Sequence, residues 1–382
     1  MGRGKKKAKQ QQQQQQPQGG RGSGRGRATG SHGVIKNPRK PVRPQGPSKG
    51  AGRRPPHPNR KTRQPPLRCE PAAPTGVVEQ VPADGFVRHQ EITRAHQDAI
   101  TAIAMAEDAV YTAARDKSLR RWRVGKGVSG RFELTPDLEV PLGESCWTML
   151  YVGEWIFCGL SEGTIQGYSK SGQQTTLKAH TKRVTSLLVH HSVLISGGHD
   201  SFVRLWQADA GPHAFVNTHS LSADIPGAVN CLRVLGDKLW IGGMQGLAVM
   251  DLVQLRVVSQ LPPKKCVTSF LEFQGHMITV YADGATAIYD GMGNQTHSQT
   301  PLACGPVLCI AGLDSGPRVL LGHSKGQVSS IELPSFRMKL YFQAIDRCKV
   351  ESICAVGQDG IFLIGSQNGN LQLWQRLEPA QM

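Results

Sequence analysis

The sequence lacks any apolar run of about 18 residues, the shortest stretch from which a membrane-spanning helix is predicted. The basic cluster GKKKAK (residues 4–9) is not followed by the apolar segment of a secretory signal. Lys6 stands where N-myristoylation of Gly2 favours Ser or Thr. These absences predict a soluble, intracellular protein with no membrane span, secretory signal or lipid anchor.

Cysteine is sparse and follows no pattern. The chain has nine cysteines in 382 residues and no C-x-x-C pair. A secreted disulfide scaffold is short and rich in cysteine, so this composition argues against one. We expect the thiols to be small buried side chains in a reducing compartment, and we predict neither a metal site nor a cofactor.

The N-terminal part of the chain lacks aromatic and acidic residues. Phe86 is the first aromatic residue, and residues 1–69 hold 19 of the 45 Lys and Arg but none of the 28 Asp and Glu. The remainder is nearly neutral, since 26 basic and 28 acidic residues give −2. Seven consecutive glutamines (residues 10–16) and frequent Pro and Gly bury too little apolar surface to offset the entropy of ordering. We therefore predict that residues 1–83 form a disordered basic tail.

Two roles are open for this tail. The stretch GGRGSGRGRATG (residues 19–30) resembles an arginine-glycine segment. Arg21, Arg25 and Arg27 are candidate nucleic-acid contacts, because cationic chains bind phosphate backbones by counterion release. The alternative is a solubilising or targeting extension with KKKAK (residues 5–9) as an import signal. The expected location is the nucleus or the cytoplasm, with the nucleus favoured.

The rest of the chain is a repeat. The stretch ISGGHDSFVRLW (residues 195–206) places a polar turn between two β-rich runs, and six further copies occur. The turn positions are 117, 163, 201, 246, 284, 326 and 369, with steps of 46, 38, 45, 38, 42 and 43. Five of the seven are Gly, which suits a tight turn with positive φ. The period is that of a four-stranded propeller blade.

An all-β fold follows from this pattern. Each turn is preceded by two short β-type runs and followed by a third, and helical periodicity is absent. We predict a seven-bladed β-propeller of four-stranded blades over residues 84–378. Because the chain stops soon after the third run of the last repeat, we expect GFVRHQEI (residues 85–92) to supply that blade's outer strand and close the ring.

Two repeats carry a set of four polar side chains with identical spacing. These are His96, Thr112, Asp116 and Trp122 in the first repeat and His180, Ser196, Asp200 and Trp206 in the third. The sets resemble the WD-repeat (WD40) propeller, and the resemblance implies a buried hydrogen-bond chain within each blade. Imidazole, hydroxyl and indole can together satisfy a buried carboxylate.

The last repeat resembles a narrower group. ELPSF (residues 332–336) followed by ICAVGQDGIFLIGSQNGNLQLW is similar to the last blade of plant proteins that combine a CCCH zinc finger with a WD-repeat propeller. Only Cys69 precedes the propeller, and Gln358 stands where a C-x5-C-x3-H ending after Cys348 and Cys354 needs histidine. We expect the scaffold of that group without its zinc finger.

Three short motifs suggest chemistry that their context disfavours. GLSEG (residues 159–163) matches the G-x-S-x-G nucleophile elbow but falls at a predicted hairpin. GKGVSG (residues 125–130) matches G-x-G-x-x-G without a following helix, and we predict an interblade loop. His190, His191 and His199 have no carboxylate or cysteine nearby at ligand spacing, so turn and strand-end roles are favoured over metal binding. We predict no catalytic residues and no enzyme activity.

The predicted partner-binding residues precede the seven turns. They are Arg115, Ser161, His199, Met244 and Gln367, with Ala282 and Ser324 in the same register. Arg115 is the preferred anchor because arginine is enriched at interface hot spots. The alternative is that all are solvated turn residues. The predicted function is a noncatalytic protein-interaction scaffold with a monomeric propeller. A second possibility is an RNA-associated adaptor in which the tail contacts phosphates and the propeller recruits a partner.

Overall fold

The computed structural model describes residues 85–127, 131–208, 215–300, 305–313, 318–333, 335–357 and 359–377. The predicted tail, with Arg21, Arg25, Arg27 and Cys69, lies outside these residues. Seven antiparallel sheets of four strands make up the described part, as the sequence predicted. No helix in the described ranges is long and apolar enough to cross a membrane.

The strands follow the chain blade by blade, from the innermost strand of each sheet outwards, and β1 (Phe86–Ile92) precedes the first blade. Blade 1 contains β2 (Ile100–Met105), β3 (Ala109–Ala114), β4 (Ser118–Lys126) and β5 (Phe132–Pro141); blade 2 contains β6 (Cys146–Val152), β7 (Trp155–Leu160), β8 (Thr164–Ser169) and β9 (Gln174–Lys178). Blade 3 contains β10 (Val184–His190), β11 (Val193–Gly198), β12 (Val203–Ala208) and β13 (Phe215–Leu221).

The remaining four blades continue in the same order. Blade 4 contains β14 (Val229–Leu235), β15 (Lys238–Gly243), β16 (Gly246–Asp251) and β17 (Arg256–Leu261); blade 5 contains β18 (Val267–Phe273), β19 (His276–Tyr281), β20 (Thr286–Tyr289) and β21 (Gln295–Gln299). Blade 6 contains β22 (Val307–Leu313), β23 (Arg318–His323), β24 (Gln327–Glu332) and β25 (Arg337–Gln343). Blade 7 contains β26 (Val350–Val356), β27 (Ile361–Ser366) and β28 (Leu371–Arg376), with β1 as its outer strand.

Strand β1 closes the ring as predicted. It pairs antiparallel with β28, from Phe86 opposite Arg376 to Ile92 opposite Leu371. The Phe86 side chain is 2% exposed and lies in one apolar cluster with Phe362 and Trp374. The segment that precedes blade 1 in sequence is therefore part of the core of blade 7. The first and last strands of the domain, β1 and β28, stabilise each other by pairing.

The seven predicted turns share a positive φ. All seven turn positions have positive φ, including Lys117 at 68° and Ser201 at 67°. At Gly369 a Cβ would lie 2.0 Å from the carbonyl oxygen of His96, because this turn packs against the connection into blade 1. Glycine at that position is thus required both by φ and by the close approach of the next blade.

Neighbouring blades pack through a repeated contact between a glycine and a β-branched residue. Near the end of the second strand of five blades, a Cβ would come within 2.9 Å of the residue that begins the first strand of the next blade. The glycines are Gly159, Gly197, Gly242, Gly322 and Gly365, and they face Val184, Val229, Val267, Val350 and Ile100. The first strands can approach closely because these positions carry no side chain.

One sequence prediction about a loop is wrong. The GKGVSG stretch is not an interblade loop, since Gly125 and Lys126 end β4 and the chain returns as β5 of the same blade, with Lys126 opposite Phe132. The outer strand β5 is largely exposed and therefore lacks the apolar run that marks inner strands. GLSEG, in contrast, lies at the β7–β8 hairpin as predicted, and a strand follows it.

Candidate functional site

The seven residues predicted to form a rim occupy equivalent positions. Each donates its backbone N–H to the carbonyl of the residue just before the first strand of its own blade, at 2.9–3.0 Å. The pairs are Arg115 with Ala99, Ser161 with Ser145, His199 with Arg183, Met244 with Ala228, Ala282 with Cys266, Ser324 with Pro306 and Gln367 with Lys349. These hairpins and the connections between blades form one face, here called the upper face; the opposite hairpins form the lower face.

In blade 1 the predicted polar set forms a continuous chain beneath this face. His96 Nε2 lies 2.8 Å from Thr112 Oγ1, His96 Nδ1 lies 3.1 Å from Asp116 Oδ2, and Trp122 Nε1 donates to Thr112 Oγ1 at 2.8 Å. The indole only donates, so the Thr112 hydroxyl donates to His96 Nε2 and His96 Nδ1–H donates to Asp116. Asp116 also accepts from the Gln97 N–H at 2.8 Å. The chain therefore ties the connecting segment to the hairpin.

Blade 3 repeats this arrangement and adds a cation. His180 contacts Asp200 at 2.8 Å and Ser196 at 2.9 Å, and Trp206 donates to Ser196 at 3.0 Å. Arg204 Nη1 lies 3.1 Å from Asp200 Oδ2. The two sets of polar side chains thus rigidify the loops of the upper face. The sets themselves lie beneath these loops, where a partner would not contact them.

Three blades that lack the full set make the same link with other side chains. In blade 5 the Tyr281 and Tyr289 hydroxyls lie 3.0 Å apart, and Tyr289 donates to the Pro262 carbonyl. In blade 6 His323 contacts the Gly305 carbonyl and Ser329. In blade 7 Gln372 donates to the Ala344 carbonyl and accepts from Trp374. Sequence reasoning missed these links because it searched for one set of residue types.

Acidification below pH 6.5 is expected to destabilise the propeller. Burial lowers the pKa of His96, His180 and His323 below 6.5, so these side chains are neutral in the folded state. Below pH 6.5 the unfolded chain binds more protons, and the free energy of unfolding falls with pH until the folded pKa is reached, by up to about 1.4 kcal/mol per pH unit for each histidine.

Urea unfolding at several pH values measures this effect. His323→Gln should weaken the pH dependence, because it removes one of the three histidines whose pKa burial lowers. Equal free energies of unfolding at about pH 7 and about pH 5 would contradict the prediction.

An aromatic side chain on the upper face brings four blades together. Trp147, the second residue of β6, has the Arg115 guanidinium 4.8 Å and the Arg183 guanidinium 4.4 Å from its ring centroid. Arg183 also contacts His199 Nε2 at 2.9 Å, and Arg115 lies 3.6 Å from the Glu351 carboxylate. We call these five residues the Trp147 cluster. It combines an aromatic ring with two arginines, and both residue types are enriched at protein interfaces.

Trp147 differs from its equivalents in blades 1, 3, 4 and 5. At the same position, Thr101, Thr185, Asn230 and Thr268 donate to the carbonyl of the first residue of the next blade's inner strand. An indole at this position stacks on arginines instead. In blade 2 this position therefore makes a surface contact with arginines in place of the bond to the next blade that it makes in blades 1, 3, 4 and 5.

The cluster contains two of the five predicted partner-binding residues. Sequence reasoning identified Arg115 and His199 but missed Trp147, Arg183 and Glu351. One signal was present: Cys146 begins β6 and is fully buried, so strand alternation turns Trp147 to the other side.

The other three predicted residues are not among the side chains whose contacts define the Trp147 cluster. Met244 is 49% exposed in blade 4, with its sulfur 3.7 Å from Asn230 Nδ2 and Cys266 Sγ. Ser161 and Gln367 belong to the hairpins of blades 2 and 7.

The three histidines considered as a metal group are separated. His199 belongs to the Trp147 cluster on the upper face, whereas His190 and His191 lie at the β10–β11 hairpin of the lower face. Their ligand atoms lie within 4.8 Å of Asp237, from the next blade. The sequence search found no nearby carboxylate because this one is 46 positions beyond His191.

Seven four-stranded antiparallel sheets, closed by pairing of the first and last strands, define a seven-bladed β-propeller. Residues 171–207 match the family model described as WD domain, G-beta repeat. The fold resembles the crystal structure of the WD40 beta propeller domain of Doa1, with a TM-score of 0.65 and 17% identity over 78% of this chain and 99% of that one. The protein is a seven-bladed β-propeller whose fold and matched repeat are similar to those of WD40 propellers.

Curated relatives agree with the sequence resemblance. The chain is 23% identical over 293 residues to zinc finger CCCH domain-containing protein 17 of Oryza sativa subsp. japonica, covering 73% of this chain and 64% of that protein. It is 32% identical over 113 residues to WD repeat-containing protein 18 of Rattus norvegicus, covering 25% of each chain. This chain thus spans less than two thirds of the rice protein's length.

Proposed function

We propose that this protein is a noncatalytic interaction scaffold that binds a partner protein on the upper face of its propeller. The observation that carries the proposal is the Trp147 cluster, in which two arginines stack on one aromatic ring and link side chains from four blades. WD40 propellers generally bind other proteins, and the buried polar links beneath this face keep its loops preorganised. A noncatalytic role is supported by GLSEG, where a strand follows in place of the helix that a nucleophile elbow requires.

The proposal is tested by quantitative affinity capture with the full-length chain. Arg115→Ala combined with His199→Ala should deplete partners that the wild type recovers, because the first removes a hot-spot residue type and the second removes a contact of Arg183. The matched control is Val253→Ala with Arg256→Ala, at the β16–β17 turn of the lower face, where Val253 is 82% exposed. Unchanged recovery by the upper-face variant, with normal folding, would direct attention to the lower face.

RNA association is the second candidate function, and the basic composition of residues 1–69 favours it. The same capture distinguishes the two candidates. Removal of residues 1–83 should abolish RNA recovery if the tail supplies the phosphate contacts, while the propeller continues to recover its protein partner. Loss of both classes together would make the tail a part of the protein-binding site.

A further inference from the structure

The charges of the Trp147 cluster do not balance. Arg115 and Arg183 contribute two positive charges and Glu351 contributes one negative charge, so the cluster carries +1. The Glu351 side chain is 13% exposed and lies beside Arg115. Among the described residues, Arg183 has no carboxylate within ion-pair distance. Its charge is accompanied only by the imidazole of His199, which is a neutral acceptor in this contact.

Both guanidiniums are also incompletely hydrogen-bonded where they are buried. The Nε atoms of Arg115 and Arg183 are buried and have no hydrogen-bond partner in the described part of the chain. Burial lowers the pKa of Arg183, and the charge of Arg115 lowers it further, although arginine remains protonated. A partly buried cation without an anion is costly, and stacking on an indole compensates for only part of that cost.

We infer that the Trp147 cluster binds an anionic side chain of the partner protein, a carboxylate or a phosphorylated residue, with Arg183 as its principal contact. This inference rests on the proposed function, because it names the chemistry of the partner at the same face. A carboxylate or phosphate receives two parallel hydrogen bonds from one guanidinium. The incoming anion would supply the partner that Arg183 lacks, while Trp147 holds the guanidinium in place.

The geometry favours a peptide over RNA at this site. Single-stranded nucleic acids bind through aromatic rings on which bases stack. Trp147 already has a guanidinium within cation–π distance from each of the two blades that flank blade 2. An acidic peptide side chain needs no ring surface and uses the edges of the guanidiniums.

Fluorine NMR of the full-length chain labelled with 5-fluorotryptophan tests the inference at the site itself. The chain has six tryptophans, and Trp147→Phe identifies the signal of Trp147. Polyglutamate and phosphoserine peptides are the probes, with polyglutamine of the same length as the neutral control. A saturable shift of the Trp147 signal with either acidic peptide, absent with polyglutamine, is the expected result, and the tighter of the two identifies the anion.

Arg183→Gln should weaken the titration about tenfold, since it removes a charge-assisted bidentate contact. Arg183→Lys keeps the charge without the fork and should fall between this variant and the wild type. Arg256→Gln makes the same charge change on the lower face and should titrate as the wild type. The inference is overturned if Trp147 responds to neither acidic peptide, or if correctly folded Arg183→Gln binds as the wild type does.

A response to oligouridylate alone would replace the peptide with RNA and would also overturn the inference. The capture experiment separates this inference from the proposed function. Suppose that the Arg115 and His199 double variant loses the partner but the Trp147 signal does not shift with either acidic peptide. This result would support the scaffold role and contradict the binding of an anionic side chain. Full recovery of the partner by that variant would remove the upper-face scaffold role, whatever the Trp147 signal does.

Discussion

Deletion of residues 1–92 is expected to prevent formation of a stable propeller, whereas deletion of residues 1–84 is expected to preserve it. The longer deletion removes β1, so blade 7 loses its outer strand and β28 becomes an unpaired edge. It also removes Phe86, whose ring lies 5.1 Å from Phe342 and 5.8 Å from Phe362, centroid to centroid. The shorter deletion retains Gly85, whose carbonyl accepts the Leu377 N–H at 2.6 Å.

A point substitution measures the same contribution without removing the strand. Phe86→Ala should lower the free energy of unfolding by about 3–5 kcal/mol, the usual cost of truncating a buried phenylalanine. Val216→Ala, on the outer strand of blade 3 where the side chain is 47% exposed, should change it by less than about 1 kcal/mol. Urea unfolding followed by tryptophan fluorescence compares the two point variants.

The deletion proteins are compared by their melting temperatures. Equal melting temperatures of the two deletion proteins would contradict the closure of the ring by β1.

The number of blades could be predicted from the sequence because the hairpin between the second and third strands is specified locally. Each copy needs a positive φ at one position. Glycine meets this need at Gly163 and Gly326, and a glycine that recurs at this position can be recognised in the sequence. Outer strands carry no comparable signal. β5 and β13 are largely exposed and show little apolar alternation. GKGVSG and the residues after it therefore gave no indication that a strand of the same blade follows.

The candidate site was predictable only in part, because ring closure assembles it. His96 and Asp116 are 20 positions apart within one repeat, and the same spacing recurs at His180 and Asp200. Arg115 and Glu351 are 236 positions apart and meet only because blades 1 and 7 are neighbours. Local spacing carries no information about such a contact. Comparison of the repeats therefore identified the hairpin residues but not the residues that they contact.

Asp200→Ala is expected to lower the free energy of unfolding by about 3–5 kcal/mol, as removal of one member of a buried ion pair does. The Asp200 side chain is 4% exposed. It accepts from His180 Nδ1 at 2.8 Å, from the Thr181 N–H at 3.0 Å and from Arg204 at 3.1 Å. Alanine leaves these donors without an acceptor and leaves the Arg204 charge without its counterion. Urea unfolding at neutral pH measures the change.

The equivalent turn of blade 5 provides the matched control. Asp283 also stands immediately before its turn position, but its side chain is 40% exposed and is paired with the exposed Lys265. Asp283→Ala should therefore cost less than about 1 kcal/mol, because water replaces the lost contacts. Asp200→Asn keeps the size and one oxygen acceptor and should fall between the two alanine variants. Since both alanine substitutions alter the same kind of hairpin, equal losses would assign the effect to the turn, whereas the expected difference assigns it to the buried chain from His180 to Trp206.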